Sequence, residues 1–275
     1  MRTFRHHRGR HAAKATVAVI ALALVGCSTR TIQLPDAPGT LALTDTVRIY
    51  GEVMERCADV NGWSAEMTIN GTMDRRRVSK RFLVFFSAPI VRLEASTRSG
   101  DPSFVFLSRG DRAVVRVAGN ETRQADQHDV MQALIGVRMA ADFLGRLLAA
   151  CEFPAGSPAM RRIGSQWARY PLVGGSVYVH RATTADSWHL VTIFHPGETL
   201  NWSWRIDYLQ AQDGFPLHAH LVTANGQVDL NIRLAHVDIK FSHNSDDRRF
   251  QVDTPSNTQP LQPKQLQQMI YGGRR

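Results

Sequence analysis

Apolar and polar residues alternate without a break from Trp63 to Met73. Trp63, Ala65, Met67, Ile69, Gly71 and Met73 fall on one side; Ser64, Glu66, Thr68, Asn70 and Thr72 fall on the other. A period of two is the repeat of a β-strand, and a long strand with one wet face belongs to a sheet covered on one side only. The pattern returns quickly. Strands are predicted at 78–86, 90–97, 103–107 and 112–117, the last two joined through Arg109-Gly110-Asp111, a hairpin turn sequence. A second series begins around Trp167 and continues through 176–181, 189–194, 201–209, 216–223 and 227–241. Its alternation is clearest at Trp202, Trp204, Ile206 and Tyr208 and at Val228, Leu230, Ile232 and Leu234. No helix separates consecutive strands within either series, so each is an antiparallel meander.

Helical periodicity is sparse. Val47, Tyr50, Met54, Cys57 and Ala58 recur at intervals of three and four over 45–60, with Thr44 or Asp45 to cap the start and Asn61-Gly62 to stop the helix. Between the two strand series, 129–135 and 141–150 offer Val130, Met131, Leu134 and Ile135, then Phe143, Leu144, Leu147 and Leu148. So few helices cannot cover both faces of a sheet. The layout predicts an α+β chain, mainly β: about 11 antiparallel strands, strongly curved, with helices plugging the concave face. Periodicity leaves open whether that interior is a cavity or a filled core. Pro255, Pro260, Pro263 and the glutamines after Ser256 predict a poorly packed tail over 254–275.

The first residues have another purpose. Arg2, Arg5, Arg8, Arg10 and Lys14 precede an uncharged apolar run from Ala15 to Gly26. That is the length of a signal-peptide core and short of the roughly 20 residues that span a bilayer. Leu24-Val25-Gly26-Cys27 resembles a bacterial lipobox, which implies a signal peptide over 1–26, cleavage before Cys27, and lipidation of that cysteine. Ser28, rather than Asp, at the next position implies the periplasmic side of the outer membrane. The stretch to residue 42 lacks periodicity, carries Pro35 and Pro38, and is expected to act as a flexible tether of about 20–30 Å. The leader also accounts for much of the basic charge: the whole chain carries +9, and removing five unbalanced cations leaves four.

Two further cysteines, Cys57 and Cys151, form an even pair in an oxidising compartment. A disulfide between them and a pair of buried thiols are both open on sequence.

Several stretches then resemble the LolA/LolB superfamily. They are Ala88-Pro89-Ile90-Val91-Arg92-Leu93-Glu94, then Ser99-Gly100-Asp101-Pro102-Ser103-Phe104, and Leu134-Ile135-Gly136-Val137 leading into Phe143-Leu144-Gly145-Arg146-Leu147-Leu148. Late in the chain come Tyr208, Gly214-Phe215-Pro216-Leu217 and Leu221. The resemblance covers 43–253. It implies an unclosed β-barrel with helices as a lid, which shelters the acyl chains of lipoproteins, and a lipid anchor is similar to the LolB-like receptors of that family. The implied partners are acyl chains of lipoproteins or other lipids, a LolA-like periplasmic carrier, and the membrane through the anchor. Met67, Ile69, Leu93, Val115, Trp204 and Ile206 are the candidate lining residues, and Met67 with Met73 would adapt to variable chains. The same residues would serve equally as ordinary core. The loop that carries an exposed leucine in those receptors corresponds to Arg98, Ser99 and Gly100, where polar Ser99 stands in the leucine's place. This departure leaves a second reading: a scaffold or interaction lipoprotein of the envelope using the same fold.

Other chemistries find little. His218 and His220 lie two apart and would share a strand face, with His236 as a third possible ligand. No acidic or thiol cluster joins them at ligand spacing, so they are expected to be surface histidines and no metal is assigned. No G-x-S-x-G, H-E-x-x-H or phosphate-loop pattern occurs, so the chain is expected to be non-catalytic and without a cofactor. Arg75-Arg76-Arg77, with Lys80 and Arg81, is expected at a hairpin tip, solvated or facing anionic headgroups. An exported, lipidated protein meets little nucleic acid, so no nucleic-acid partner is expected.

Overall fold

The structure is a computed structural model. It describes residues 31–272 apart from 38, 41–42, 59, 97–101, 111, 118–121, 154–159, 173–174, 196–202, 213, 241–249 and 251–260. Cys27 and the loop residues Arg98, Ser99 and Gly100 therefore lie outside the described residues. Residues 32–275 form one compact unit.

Thirteen strands make a single antiparallel sheet. In chain order they are β1 (Gly62–Met73), β2 (Arg76–Ser87), β3 (Ile90–Ser96), β4 (Pro102–Arg109), β5 (Arg112–Val117), β6 (Thr122–Ala125), β7 (Arg161–Ile163), β8 (Trp167–Leu172), β9 (Gly175–His180), β10 (His189–His195), β11 (Trp204–Gln212), β12 (Phe215–Thr223) and β13 (Val228–Asp238). Across the sheet they run β6-β5-β4-β3-β2-β1-β13-β12-β11-β10-β9-β8-β7. The chain thus starts at the centre, steps out to one edge, restarts at the other edge and steps back until β13 pairs with β1. The sheet is unclosed, as the family resemblance implies. The two strands beyond the expected 11 are β6 and β7, short and polar (Thr-Arg-Gln-Ala and Arg-Arg-Ile), with no alternation to announce them.

Among the described residues four helices accompany the sheet: α1 (Leu43–Ala58), α2 (Gln127–Ile135), α3 (Ala141–Leu148) and α4 (Pro263–Tyr271). In α1 the buried side is set by Thr46, Ile49 and Val53, while Val47 is 60% exposed. The stripe expected from Val47 is therefore rotated; Tyr50 and Met54 lie at its margin, packed against the core. Helix α2 is capped by Asp126, whose carboxylate accepts the N–H groups of His128 and Asp129. It ends at Gly136, in a left-handed conformation where a Cβ would strike Val228. The Gln127 side chain accepts the N–H of Ala141, which ties the start of α3 to the start of α2.

Helix α4 corrects the expectation of a loose tail. Pro263 opens it, Gln262 and Gln265 cap each other, and Leu266 and Ile270 are completely buried. The Tyr271 hydroxyl donates to the Leu134 carbonyl of α2. The i, i+4 pair Leu266/Ile270 gives this short helix a face to bury, and the concave side of the sheet supplies the place.

The convex side carries two smaller features. Phe250 covers Ile90, Leu107 and Val114 beside Phe85. Further round, Asp207 is fully buried; it accepts from Thr192 (2.7 Å), from Arg205 Nε (2.8 Å) and from the Ile32 N–H (3.4 Å). Arg205 Nη2 in turn donates to the Ile32 carbonyl at 2.5 Å. Thr40 then exchanges two backbone bonds with Arg162 of β7. The described part of the expected tether is therefore held to the body at both Ile32 and Thr40, because outward polar groups on β7 and β11 need its backbone as partners.

Candidate functional site

Strand register turns the separate alternations into continuous apolar rows. One row crosses half the sheet as Ala65, Val84, Leu93, Phe106 and Val115. Another crosses the other half as Leu230, Leu221, Ile206, Ile193 and Val177. Met67 lies between Phe82 and Leu234, and Ile69 beside Ile232. Trp204 stacks on His195 at 5.0 Å and meets the edge of Phe143 at 6.2 Å. All six candidate lining residues thus share one concave surface, and each is at most 4% exposed.

That surface is covered by α2, α3 and α4. Val130, Met131, Leu134 and Ile135 come from α2, Leu144, Leu147 and Leu148 from α3, and Leu266 and Ile270 from α4, all in one core cluster with the sheet. Three polar side chains reach over to helix carbonyls: Trp63 Nε1 to Gly145, the Tyr208 hydroxyl to Leu147, and Tyr271 to Leu134. Burial holds the Tyr208 phenol well above its usual range, so it stays a donor.

Gly145 brings α3 close against the sheet. A Cβ there would lie 2.1 Å from Phe86 Cδ2, and the Phe86 ring is itself set against Trp63. Gly145→Ala is expected to lift α3 off the sheet and lower stability by about 1–3 kcal/mol, the usual range for overpacking. Urea unfolding of the variant checks this; an unchanged midpoint would mean that α3 is not seated on Phe86.

At the end of the sheet where β1 begins, α1 meets the end of α3. Cys57 and Cys151 are joined there in a disulfide with a Cα–Cα distance of 5.4 Å, which settles the alternative that the sequence left open. Beside it is a pocket of about 190 Å³ lined by Arg56, the disulfide, Val60, Ala149, Phe215 and Ile239. Alternation did not find Arg56; the residues that shape its surroundings, Trp188 and Gly214, lie far along the chain.

The remaining candidates are placed as follows. His218 bonds Asn231 (3.3 Å) and His220 bonds Asp229 (2.8 Å), both across to β13. His220 is 3% exposed, so the expectation of a surface histidine is corrected for it; its Nε2 is turned onto the Asp229 carboxylate of β13. No group of three or more potential metal ligands occurs among the described residues. Arg75, Arg76 and Arg77 are exposed at the β1–β2 hairpin, where Asp74 and Arg75 both adopt positive φ. Strand β3 ends and β4 begins at this same pole, opposite to the disulfide. No helix among the described residues is long and apolar enough to cross a membrane.

No family model and no curated protein matches the chain. Among solved structures it is similar to a LolA superfamily protein from Nitrosomonas europaea, at 11% identity over 75% of this chain and 97% of that one, with a TM-score of 0.47. It is also similar to a domain named for outer-membrane lipoprotein sorting from Vibrio parahaemolyticus, at 11% identity over 75% and 97%, with a TM-score of 0.43. A third is the lipoprotein LppX of Mycobacterium tuberculosis, at 9% identity over 74% and 99%, with a TM-score of 0.31.

Proposed function

We propose that this protein binds acyl chains on the concave face of its sheet, as a lipid-anchored receptor for lipoproteins on the periplasmic side of the outer membrane. One observation carries the reading: a continuous apolar sheet surface is covered by three short, separate helices rather than by a second sheet. Helices of eight or nine residues are not stable alone. Their helical form depends on the surface they cover, so a ligand offering equal apolar area can take their place. A sixteen-carbon chain moved out of water gains about 12 kcal/mol at about 0.8 kcal/mol per methylene. That is enough to compete with the apolar contacts of one short helix.

The disulfide fixes how such a cover would open. Cys151 follows α3 directly, so α3 stays attached to α1 at one end while the other swings. Cys27, Met67, Ile69, Leu93, Val115, Trp204 and Ile206 keep the roles expected of them: Cys27 as the lipidated anchor and the rest as lining. A LolA-like carrier would deliver the cargo. Arg98, Ser99 and Gly100 keep their expected role at the membrane or cargo; the pole of the arginine hairpin, where β3 ends and β4 begins, is the one proposed to face the membrane.

The filling of the concave face by helix side chains supports a second reading, a non-catalytic scaffold with a permanent core. Native mass spectrometry separates the two. The Cys27→Ala protein, purified from periplasm, is incubated with a synthetic triacylated lipopeptide. A stoichiometric adduct is the expected result. A clean apo mass before and after incubation would overturn the receptor and leave the scaffold.

A further inference from the structure

The pocket beside the disulfide contains a cation with no anion beside it among the described residues. Arg56 is half-buried in the last turn of α1. Its guanidinium donates to two backbone carbonyls, Trp188 at 2.8 Å and Gly214 at 3.3 Å. No carboxylate among the described residues pairs with it. Glu52, one turn earlier, is committed elsewhere, to Arg48 at 2.6 Å and to the Trp188 N–H at 3.3 Å. A guanidinium has five N–H donors, and the bonds to Trp188 and Gly214 use two of them. Burial pulls the Arg56 pKa down from its usual value, although a guanidinium remains charged throughout the physiological range. The neighbouring His189 is also held below its usual range, first by burial and then by the charge of Arg56.

The surroundings are shaped to admit this side chain. Gly214 has φ +80°, and a Cβ there would come within 2.6 Å of Arg56 Cδ and 2.8 Å of Nη1. Only glycine lets the arginine lie flat against the β11–β12 turn. The other walls are apolar: Val60, Ala149, the disulfide and Phe215. Ile239 stands at the rim, 42% exposed, among the few large apolar side chains left in water. Phe215 meets Trp63 edge-on at 5.7 Å, and Trp63 is fully buried in the core, so the apolar wall is continuous with the interior.

A partly desolvated cation that pairs with no carboxylate among the described residues, at the mouth of a greasy pocket, is complementary to one kind of molecule. We infer that this pocket binds the head of an anionic amphiphile, a carboxylate or phosphate on an alkyl chain, with Arg56 forking onto the anion and the first methylenes lying against Phe215 and Ile239. The inference rests on the acyl-binding reading for the burial of the chain and adds the charge of the head. Arginine suits both heads because its planar fork matches two oxygens at once.

Calorimetry on the Cys27→Ala protein with three probes of equal chain length tests it: dodecanoate, dodecyl phosphate and the neutral dodecyl maltoside. At least one anionic probe is expected to bind tenfold or more tightly than the maltoside. Preference for dodecanoate identifies a fatty-acid carboxylate, and preference for dodecyl phosphate a phospholipid-type head. Arg56→Gln is expected to bring the anions down to the level of the maltoside. Ile239→Glu, an exposed rim substitution that leaves the core untouched, places a carboxylate within the pocket and is expected to do the same. Equal binding of all three probes to the unsubstituted protein would overturn the anion site while leaving acyl binding intact. Failure of all three to bind would overturn both. A preference for anions that survives in both variants would show that Arg56 is not the recognition element.

Discussion

Replacing Cys57 and Cys151 together by serine is expected to lower stability by about 4–5 kcal/mol, on the chain-entropy account of a long covalent loop. The bond spans 94 residues, and it connects two elements that otherwise touch little: the last turn of α1 and the end of α3. The loop holds β1 to β6 and both middle helices, so cutting it frees nearly half the sheet in the unfolded chain. Globular domains have only about 5–15 kcal/mol in total, which makes this a large fraction. For a body of this size the melting temperature should fall by about 10–20 °C. Thermal unfolding of the double serine variant, and of the unsubstituted protein with and without dithiothreitol, measures it. A fall of only a degree or two would mean that the unfolded chain is already compact around this contact. The same variant has a second expected property. With α3 no longer stapled to α1, the triacylated lipopeptide should bind faster, because one end of the cover is released.

Asp207→Ala should be nearly as damaging, for an electrostatic reason. The carboxylate is fully buried, and it satisfies Thr192, Arg205 and the Ile32 N–H at once. Removing it leaves the Arg205 charge partly desolvated and the Thr192 hydroxyl without its acceptor. Breaking a buried pair from one side costs about 3–5 kcal/mol. Arg205 retains some contact with water, at 23% side-chain exposure, so the lower end, about 3 kcal/mol, is expected here. The double variant Asp207→Leu/Arg205→Met should recover much of the loss, because an apolar pair needs no partners. If it does not, the role of Asp207 lies in holding Ile32 rather than in neutralising Arg205. Limited proteolysis separates these: losing the grip on Ile32 exposes the chain between 28 and 40 to cleavage even where stability is restored.

The longer strands announced themselves because sheet burial is one-sided, and a one-sided surface writes period two into the chain. Trp63 to Met73 and Val228 to Leu234 are both of this kind. Strands β6 and β7 are set by their neighbours; Thr-Arg-Gln-Ala pairs with β5 only because β5 offers its free edge. Helix α1 was legible as a helix but not in phase, since the spacing of Val47 and Tyr50 is as regular as that of Ile49 and Val53. Helix α4 was hidden by its glutamines, although Pro263 and the Gln262/Gln265 pair are start signals. Met67, Ile69, Trp204 and Ile206 could be placed on one face of the sheet because alternation identifies a face. What covers that face depends on contacts between segments 61 to 137 residues apart, such as Tyr208 with Leu147 and Tyr271 with Leu134, and no local period records them. Arg56 was invisible for the same reason. An arginine in the last turn of a helix is ordinary; its carbonyl partners, Trp188 and Gly214, lie 132 and 158 residues further along the chain.

An open sheet has two raw edges, and each is a template onto which another chain can add a strand. Here both edges are blunt. Strand β6 is four residues long and carries Arg123, and β7 is three residues long and begins with two arginines. The backbone of Thr40 occupies both hydrogen-bonding groups of Arg162, which plugs the middle of the β7 edge. Polymerisation by strand addition therefore has almost no template to start from. Molecules of this kind can be crowded side by side without knitting into fibres, although the barrel that would have removed the hazard outright was never closed.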